Sequence, residues 1–226
     1  VPYSLVRGNH DATGRYLKNF SWEEYKDTVS GSYADNMLNT YQKFEVNGIK
    51  YMTVNLDFGI SDSKKEAKAI IEWANGVVSA NPDYNVIVTT HAYLDENGKR
   101  LEDQEPGSPK LPQYSMVKDG EDMWQEFVSL HKNIVLVISG HVGSKGEVVM
   151  AESEGKNGNK VVELMVNPQT ADMSFFNSGY DMVGAVTMLY FSDGGKTVHV
   201  ENYSVIRDAY FLPSSQFSFT LNQIGK

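Results

Sequence analysis

The sequence contains no cysteine. Disulfide bonds and thiolate metal sites are therefore excluded, and a metal ion would need nitrogen or oxygen ligands from His, Asp, Glu, Asn or the backbone. No apolar run approaches the roughly 20 residues that a transmembrane helix needs, and no signal-peptide pattern opens the chain. The sequence therefore predicts no membrane insertion.

Positive charge is also scarce. The 226 residues include 20 Lys and Arg against 29 Asp and Glu, which gives a formal net charge of −9. This balance provides no broad basic field to attract nucleic acid or anionic membrane, so no nucleic acid specificity is expected. Hydrophobic residues make up 41% of the chain, enough for a substantial core in one domain, with or without an appendage.

The first 60 residues contain three local signals. Residues 1–6 have the composition of a buried strand with no cap before it, which we interpret as a cut through a larger domain. Residues 21–25 have a capping-box pattern and predict a short helix. The dipeptide Asn47-Gly48 stands between two runs of alternating hydrophobicity, which is a strong signal for a β-hairpin.

A helix pattern followed by a strand pattern then occurs twice. Residues 63–79 have apolar positions at helical spacing and precede a β-branched run at 85–90, which is typical of a strand buried on both faces. Residues 121–130 and 134–139 repeat this order. The polar segment 95–119 between them has no periodicity, which predicts a long loop of the kind often used for function.

The last third of the chain is β-rich. Hairpin patterns separated by Gly-, Asn- and Asp-rich turns are found at residues 147–153, 160–166, 183–191 and 197–204. The fold class predicted from these patterns is α/β, a layered sandwich whose C-terminal sheet is antiparallel or mixed.

Three apolar runs are each followed by a histidine: His10, His91 and His141. Ligands of open α/β sheets bind outside the carboxyl ends of the strands, where loops bring side chains together. Imidazole and amide oxygen suit Zn, Fe or Mn, and several such groups at one point can support metal-assisted hydrolysis. A single histidine of this kind is more often a surface or capping residue, but three of the five histidines share the arrangement.

The segment 8–11 (Gly-Asn-His-Asp), the lone His91 and the dipeptide Gly140-His141 together resemble motifs three to five of calcineurin-like metallophosphoesterases. The resemblance covers residues 1–145 and extends loosely through the remainder. It implies that residues 1–145 are the C-terminal portion of the catalytic core and that residues 146–226 complete the same domain. The implied fold is an α/β/β/α-type sandwich that is incomplete at its N-terminus.

The resemblance also implies roles for individual residues. Asn9, His91 and His141 would be ligands of one metal ion. His10 would contact phosphate and protonate the leaving oxygen, with Asp11 orienting the His10 ring; a loop cap is an equally open interpretation of Asp11.

Two further residues are candidates for substrate binding. Arg7 precedes the motif and could contact phosphate, although a surface pair with a carboxylate is the favoured interpretation. Tyr93 could line a substrate cleft together with other aromatic residues, although core or hairpin packing is the commoner role of such residues. These other residues are Trp124, Phe175, Phe176 and Tyr180.

Two motifs of the family, Asp-x-His and Gly-Asp, are absent from this sequence, and Gly143 replaces the final histidine of the family's Gly-His-x-His. Ser144 or Asn167 could supply a substitute ligand. By the resemblance, the intact parent uses two metal ions (Zn, Fe or Mn) and hydrolyses phosphate mono- or diesters by attack of a metal-bound hydroxide. We expect at most about one metal ion here, and weak or no hydrolysis by this chain alone.

A second hypothesis is a decayed metallophosphoesterase fold that serves as a binding or interaction module. Gly143 favours it, whereas the intact segment 8–11 argues against it. The absence of cysteine, the acidic balance and the resemblance to larger bacterial surface phosphoesterases are compatible with an extracellular or cell-surface location of the parent. The sequence does not indicate the oligomeric state.

Overall fold

The computed structural model describes residues 3–143, 145–170 and 184–224. Its larger sheet has seven strands in the order β1-β2-β3-β4-β5-β7-β6. The strands are β1 (Gly31–Ser32), β2 (Thr40–Val46), β3 (Ile49–Asn55), β4 (Asn85–Thr89), β5 (Ile134–Ser139), β6 (Val148–Glu154) and β7 (Lys160–Val166). The central strands β3, β4, β5 and β7 are mutually parallel, and the outer strands run antiparallel to their neighbours.

The second sheet is entirely antiparallel. Its strands are β8 (Ala185–Ser192), β9 (Thr197–Ser204), β10 (Ala209–Tyr210) and β11 (Phe217–Thr220). Strand β9 pairs with β8 on one side and with β10 and β11 on the other. The prediction of a β-rich C-terminal part with antiparallel or mixed pairing is therefore confirmed.

Four α-helices are described: α1 (Thr13–Asn19), α2 (Trp22–Tyr25), α3 (Lys64–Ser79) and α4 (Gly120–Glu126). Short 3₁₀ helices occur at Lys26–Thr28, Val128–Leu130, Pro168–Thr170, Asp193–Gly195 and Pro213–Ser215. Within the described ranges, no helix is long and apolar enough to cross a membrane.

Two hydrophobic cores define the layers. One lies between the larger sheet and the helices α3 and α4, and includes Val54, Ile70 and Phe127. The other lies between the two sheets, where Leu164 of β7 and Val200 of β9 belong to the same cluster. The architecture is thus mixed α/β with two packed sheets. The second helical layer of the expected α/β/β/α sandwich is not seen among the described residues, since no described hydrophobic cluster joins an α-helix to the second sheet.

Local sequence explains several of these elements. Asn47 and Gly48 have φ angles of 52° and 78°, which the tight β2–β3 turn requires. The side chain of Ser63 caps α3 by accepting a hydrogen bond from the Glu66 backbone N–H. The predicted hairpin, the helix at 63–79 and the strands at 85–90 and 134–139 are therefore confirmed to within one or two residues.

Two predictions need correction. Of the strand predicted at residues 1–6, the described residues 3–6 form no strand; the hydroxyl of Ser4 lies 3.1 Å from that of Thr53 in β3. The helix predicted at 121–130 is divided into α4 and the 3₁₀ helix Val128–Leu130, because the backbone of Phe127 leaves the helical conformation.

Candidate functional site

Two of the predicted site residues follow neighbouring parallel strands at the same offset. His91 comes two residues after the end of β4, and His141 two residues after the end of β5. The Gly140 backbone N–H donates a 2.9 Å hydrogen bond to the His91 carbonyl, which joins the two strand ends. The centroids of the two imidazole rings are consequently 5.0 Å apart.

Asn9 joins this pair from a loop far away in sequence. His91 Nε2 lies 2.9 Å from Asn9 Oδ1 and 3.3 Å from His141 Nδ1. Gly8 allows the approach, because a Cβ atom at this position would lie only 3.0 Å from Cε1 of His91. The structure therefore brings the three predicted metal ligands together; we call them the His–Asn cluster.

The His–Asn cluster has an aromatic wall and a strained backbone. The Phe58 ring packs 5.6 Å from the ring of His91 and 5.4 Å from that of His141, and the Tyr114 ring lies 5.6 Å from His141. His141 has a φ angle of 71°, in the left-handed region that costs a non-glycine residue about 1–3 kcal/mol. Such strain is concentrated at functional sites, where the surrounding structure enforces it.

Burial keeps both imidazoles neutral. Desolvation, together with the nearby His141, lowers the pKa of His91 to about 4. Desolvation also lowers the pKa of His141, although a hydrogen bond to the Gly107 backbone partly opposes that shift. A neutral imidazole has a free lone pair, and a hydrogen bond from its other nitrogen to a backbone carbonyl orients the ring as in many metal sites.

The depressed pKa of His91 predicts acid sensitivity in metal-free protein. The pKa is 6.5 for an unperturbed histidine and about 4 here, so the unfolded chain binds more protons between these values. We expect His91 to make the free energy of unfolding about 2 kcal/mol lower at pH 4 than at pH 7, allowing for solvent screening. Urea denaturation with a chelator at several pH values measures this loss.

Other groups also titrate in this range, so the wild-type protein is compared with His91→Gln. The variant should have the flatter stability profile, whereas a control variant of the exposed His199 should keep the wild-type slope. Parallel profiles for wild type and His91→Gln would contradict the neutral, buried state of His91.

His10 and Asp11 are both exposed at the rim of the cluster. The charge of His10 contributes to the lowered pKa of both His91 and His141, which places its ring within electrostatic reach of them. Asp11 Oδ2 accepts a 3.0 Å hydrogen bond from the Gly8 backbone N–H. This is the loop-cap interpretation of Asp11, and no hydrogen bond between Asp11 and the His10 ring is seen in the described structure.

Arg7 is buried rather than paired at the surface. It is 7% exposed, and Asp57, just after β3, is 4% exposed. Arg7 Nε and Nη2 donate hydrogen bonds of 2.8 Å to the two carboxylate oxygens of Asp57, while Nη1 donates to the Asp11 carbonyl. The guanidinium is thus occupied by these partners, and Arg7 fastens the loop 8–11 to the end of β3.

Tyr93 has the core-packing role and not the substrate-binding one, because its side chain is fully buried. It is fully buried, and its hydroxyl donates a 3.0 Å hydrogen bond to Glu163 Oε1. Arg100 and Ser153 bind the same buried carboxylate. Trp124 is likewise buried, beneath the Arg100 guanidinium. Phe175, Phe176 and Tyr180 lie outside the described residues.

Neither Asn167 nor Ser144 is supported as a substitute ligand for the second metal. Asn167 is 8% exposed and serves its own turn: Nδ2 donates to the Val142 carbonyl at 3.0 Å and Oδ1 accepts from the Gln169 N–H at 3.2 Å. Ser144 lies outside the described residues. Gly143 is exposed and offers no side-chain ligand.

The His–Asn cluster contains two histidines and one amide. Across the described residues, no group of three or more His, Cys, Asp or Glu side chains is arranged to hold a metal ion. The spacing within the cluster nevertheless suits metal ligation. Two nitrogen ligands of a tetrahedral zinc site, each about 2.0–2.1 Å from the metal, are about 3.3–3.4 Å apart. His91 Nε2 and His141 Nδ1 are separated by 3.3 Å.

Comparison with known proteins does not assign a family. No family model matches the sequence. A curated relative from Bacillus subtilis (strain 168), named Uncharacterized protein YvnB, is 28% identical over 216 residues. The alignment covers 90% of this chain but 14% of the relative, so the chain spans a small part of that protein's length. The relative's name states no activity, ligand or partner.

Proposed function

We propose that this chain carries part of the active site of a metal-dependent phosphoesterase that hydrolyses phosphate mono- or diesters. Asn9, His91 and His141 would hold one divalent ion, Zn, Fe or Mn. The observation that carries the proposal is that the Asn9 amide oxygen and the His141 Nδ1 nitrogen both lie within 3.3 Å of His91 Nε2. These groups come from three loops separated by 82 and 50 residues.

Position, charge and chemistry support this assignment. The cluster lies outside the carboxyl ends of β4 and β5, where α/β sheets bind ligands. Its neutral imidazoles and its amide oxygen are ligands for borderline divalent metals. A metal held there would act as a Lewis acid on a phosphate oxygen. The fold proposed for the intact protein is accordingly the metallophosphoesterase sandwich.

The chain's own residues have separate tasks in this proposal. His10 is exposed beside the cluster and is available to protonate the leaving oxygen. Arg7 and Asp57 hold the loop that carries Asn9 and His10. No carboxylate in the described structure joins the cluster to bridge a second metal, so the proposal assigns this chain weak or no hydrolysis by itself.

The alternative is a binding module whose site has lost catalysis. Gly143, which stands where the family has its final histidine, favours it. The intact segment 8–11 argues against it, because a site that has lost catalysis has no physical need for Asn9 and His10 together in one loop.

Metal content separates the two hypotheses. We expect about one Zn, Fe or Mn per chain by plasma mass spectrometry after purification without chelator, and near-complete loss in a His91→Ala/His141→Ala double variant. His199→Ala is the matched control: this histidine is exposed on the second sheet, hydrogen-bonded to Ser192 and Ser218, and its variant should retain the metal.

Equal metal content in the wild type and the double variant would contradict the assigned ligands. Metal-free protein in every case would favour the binding module. Two ions per chain would mean that another molecule or an unassigned residue completes the site.

A further inference from the structure

A polar cavity of about 520 Å³ lies beside the His–Asn cluster. Asn9 of the cluster lines the cavity, as do Phe58 and Tyr114 of its aromatic wall, so a group bound at the cluster lies next to the cavity. Its volume is within the roughly 300–1,000 Å³ of ordinary small-molecule sites. Apart from Asn9, and from Arg7 and Asp57, which hold the loop of Asn9, the proposed function uses none of its lining residues.

The charge of the lining selects among ligand classes. Arg7 and Asp57 face the cavity but neutralise each other in their buried pair. Asp62 and Glu66 also line it, and neither carboxylate forms an ion pair in the described structure. The Ser61 hydroxyl donates to Glu66 Oε2 at 2.8 Å. The cavity therefore has an excess of two negative charges and disfavours a second anionic group.

The remaining polar groups suit a ligand rich in hydroxyls. The side chain of Asn39 is buried, and its Oδ1 accepts from the Asp57 N–H, while its Nδ2 donates to no described residue. Tyr33, Gln113 and Tyr114 also line the cavity, and their hydroxyl and amide groups have no hydrogen-bond partner in the described part of the chain. Hydroxyl groups of a ligand can both accept from these donors and donate to the carboxylates.

We infer that this cavity binds the neutral, polyhydroxylated alcohol part of a phosphate ester whose phosphate lies at the His–Asn cluster. The placement of the phosphate rests on the proposed function. Recognition of the alcohol does not, because it depends on side chains that lie outside the cluster. Binding of the free alcohol therefore tests the inference without metal, phosphate or turnover.

The experiment is saturation-transfer NMR of the chelator-treated protein with three separate probes: myo-inositol, choline and citrate. They represent a neutral polyol, a cation and an anion. We expect binding of myo-inositol alone, and roughly tenfold weaker binding in a Tyr33→Phe/Tyr114→Phe double variant, because two hydrogen bonds are lost while both rings remain. Tyr190→Phe, an exposed tyrosine on the second sheet, is the matched control.

Thermal melting verifies that the double variant is folded. Gln113→Ala is an independent test, because it removes one hydrogen-bonding group of the cavity from an exposed loop position. Preferential binding of choline or citrate would overturn the inference, as would absence of myo-inositol binding. Binding that is unchanged in both the double variant and Gln113→Ala would place the polyol elsewhere and would overturn it as well. Loss of hydrolysis or of metal in other experiments would affect only the proposed function.

Discussion

Replacement of Asp57 with alanine is expected to lower the free energy of unfolding by about 3–5 kcal/mol. The substitution leaves the Arg7 guanidinium buried without its carboxylate, and removing one partner of a buried ion pair costs far more than the pair contributes when intact. Burial already raises the pKa of the Asp57 carboxyl, while the Arg7 hydrogen bonds oppose that shift. Urea denaturation at pH 7 measures the loss.

The same variant should impair the site. Without Asp57, the loop that carries Asn9 is no longer fastened to the end of β3, so metal content should fall even under conditions where the variant is folded. Asp83→Ala is the control, because Asp83 forms a solvent-exposed pair with Lys50 whose loss should change stability little. If Asp57→Ala were as stable as Asp83→Ala, Arg7 and Asp57 could not be paired as described.

Glu163→Ala should be similarly destabilising, by about 3–5 kcal/mol. Glu163 is fully buried in β7, where Arg100 Nη1 donates to its carboxylate at 3.0 Å and the hydroxyls of Tyr93 and Ser153 donate at 3.0 and 3.1 Å. Removing the carboxylate leaves the Tyr93 and Ser153 hydroxyls without this acceptor in the core, while Arg100 keeps its ion pair with Glu121. The denaturation midpoint should fall sharply.

The Glu163→Ala variant also tests whether the buried network around Glu163 is independent of the His–Asn cluster. Because Glu163 and Tyr93 do not belong to the His–Asn cluster, folded Glu163→Ala protein should retain wild-type metal content. Glu152→Ala on the adjacent strand β6 is the matched control, since Glu152 pairs with Lys160 near the surface and its loss should cost little. Loss of metal in folded Glu163→Ala protein would show that this network supports the site, contrary to the structure.

Sequence was most informative where structure is decided locally. Asn47-Gly48 favours a tight turn through its own backbone preferences, and Ser63 caps α3 across a single helical turn. The two histidines could be grouped because parallel neighbouring strands end at the same side of a sheet, so equal offsets from β4 and β5 bring His91 and His141 together.

Sequence was least informative about side chains whose roles depend on distant partners. Arg7 is 50 positions from Asp57, and Tyr93 is 70 from Glu163. The short-range sequence patterns around Arg7 and Tyr93 gave no indication of these distant partners. Burial decides the role of each side chain: a surface arginine can bind phosphate, whereas a buried one must be neutralised, and a buried tyrosine hydroxyl needs an acceptor.

The sequence by itself thus determined the elements that follow from short-range pattern: the hairpin β2–β3, the helix α3, the central strands and the candidate ligands at their ends. Only the tertiary structure decided that Asn9 reaches His91, that Arg7 and Tyr93 are internal, and that a polar cavity adjoins the cluster. The physical reason is that helix and turn preferences act over a few residues, whereas burial and hydrogen-bond satisfaction depend on which distant segments pack together.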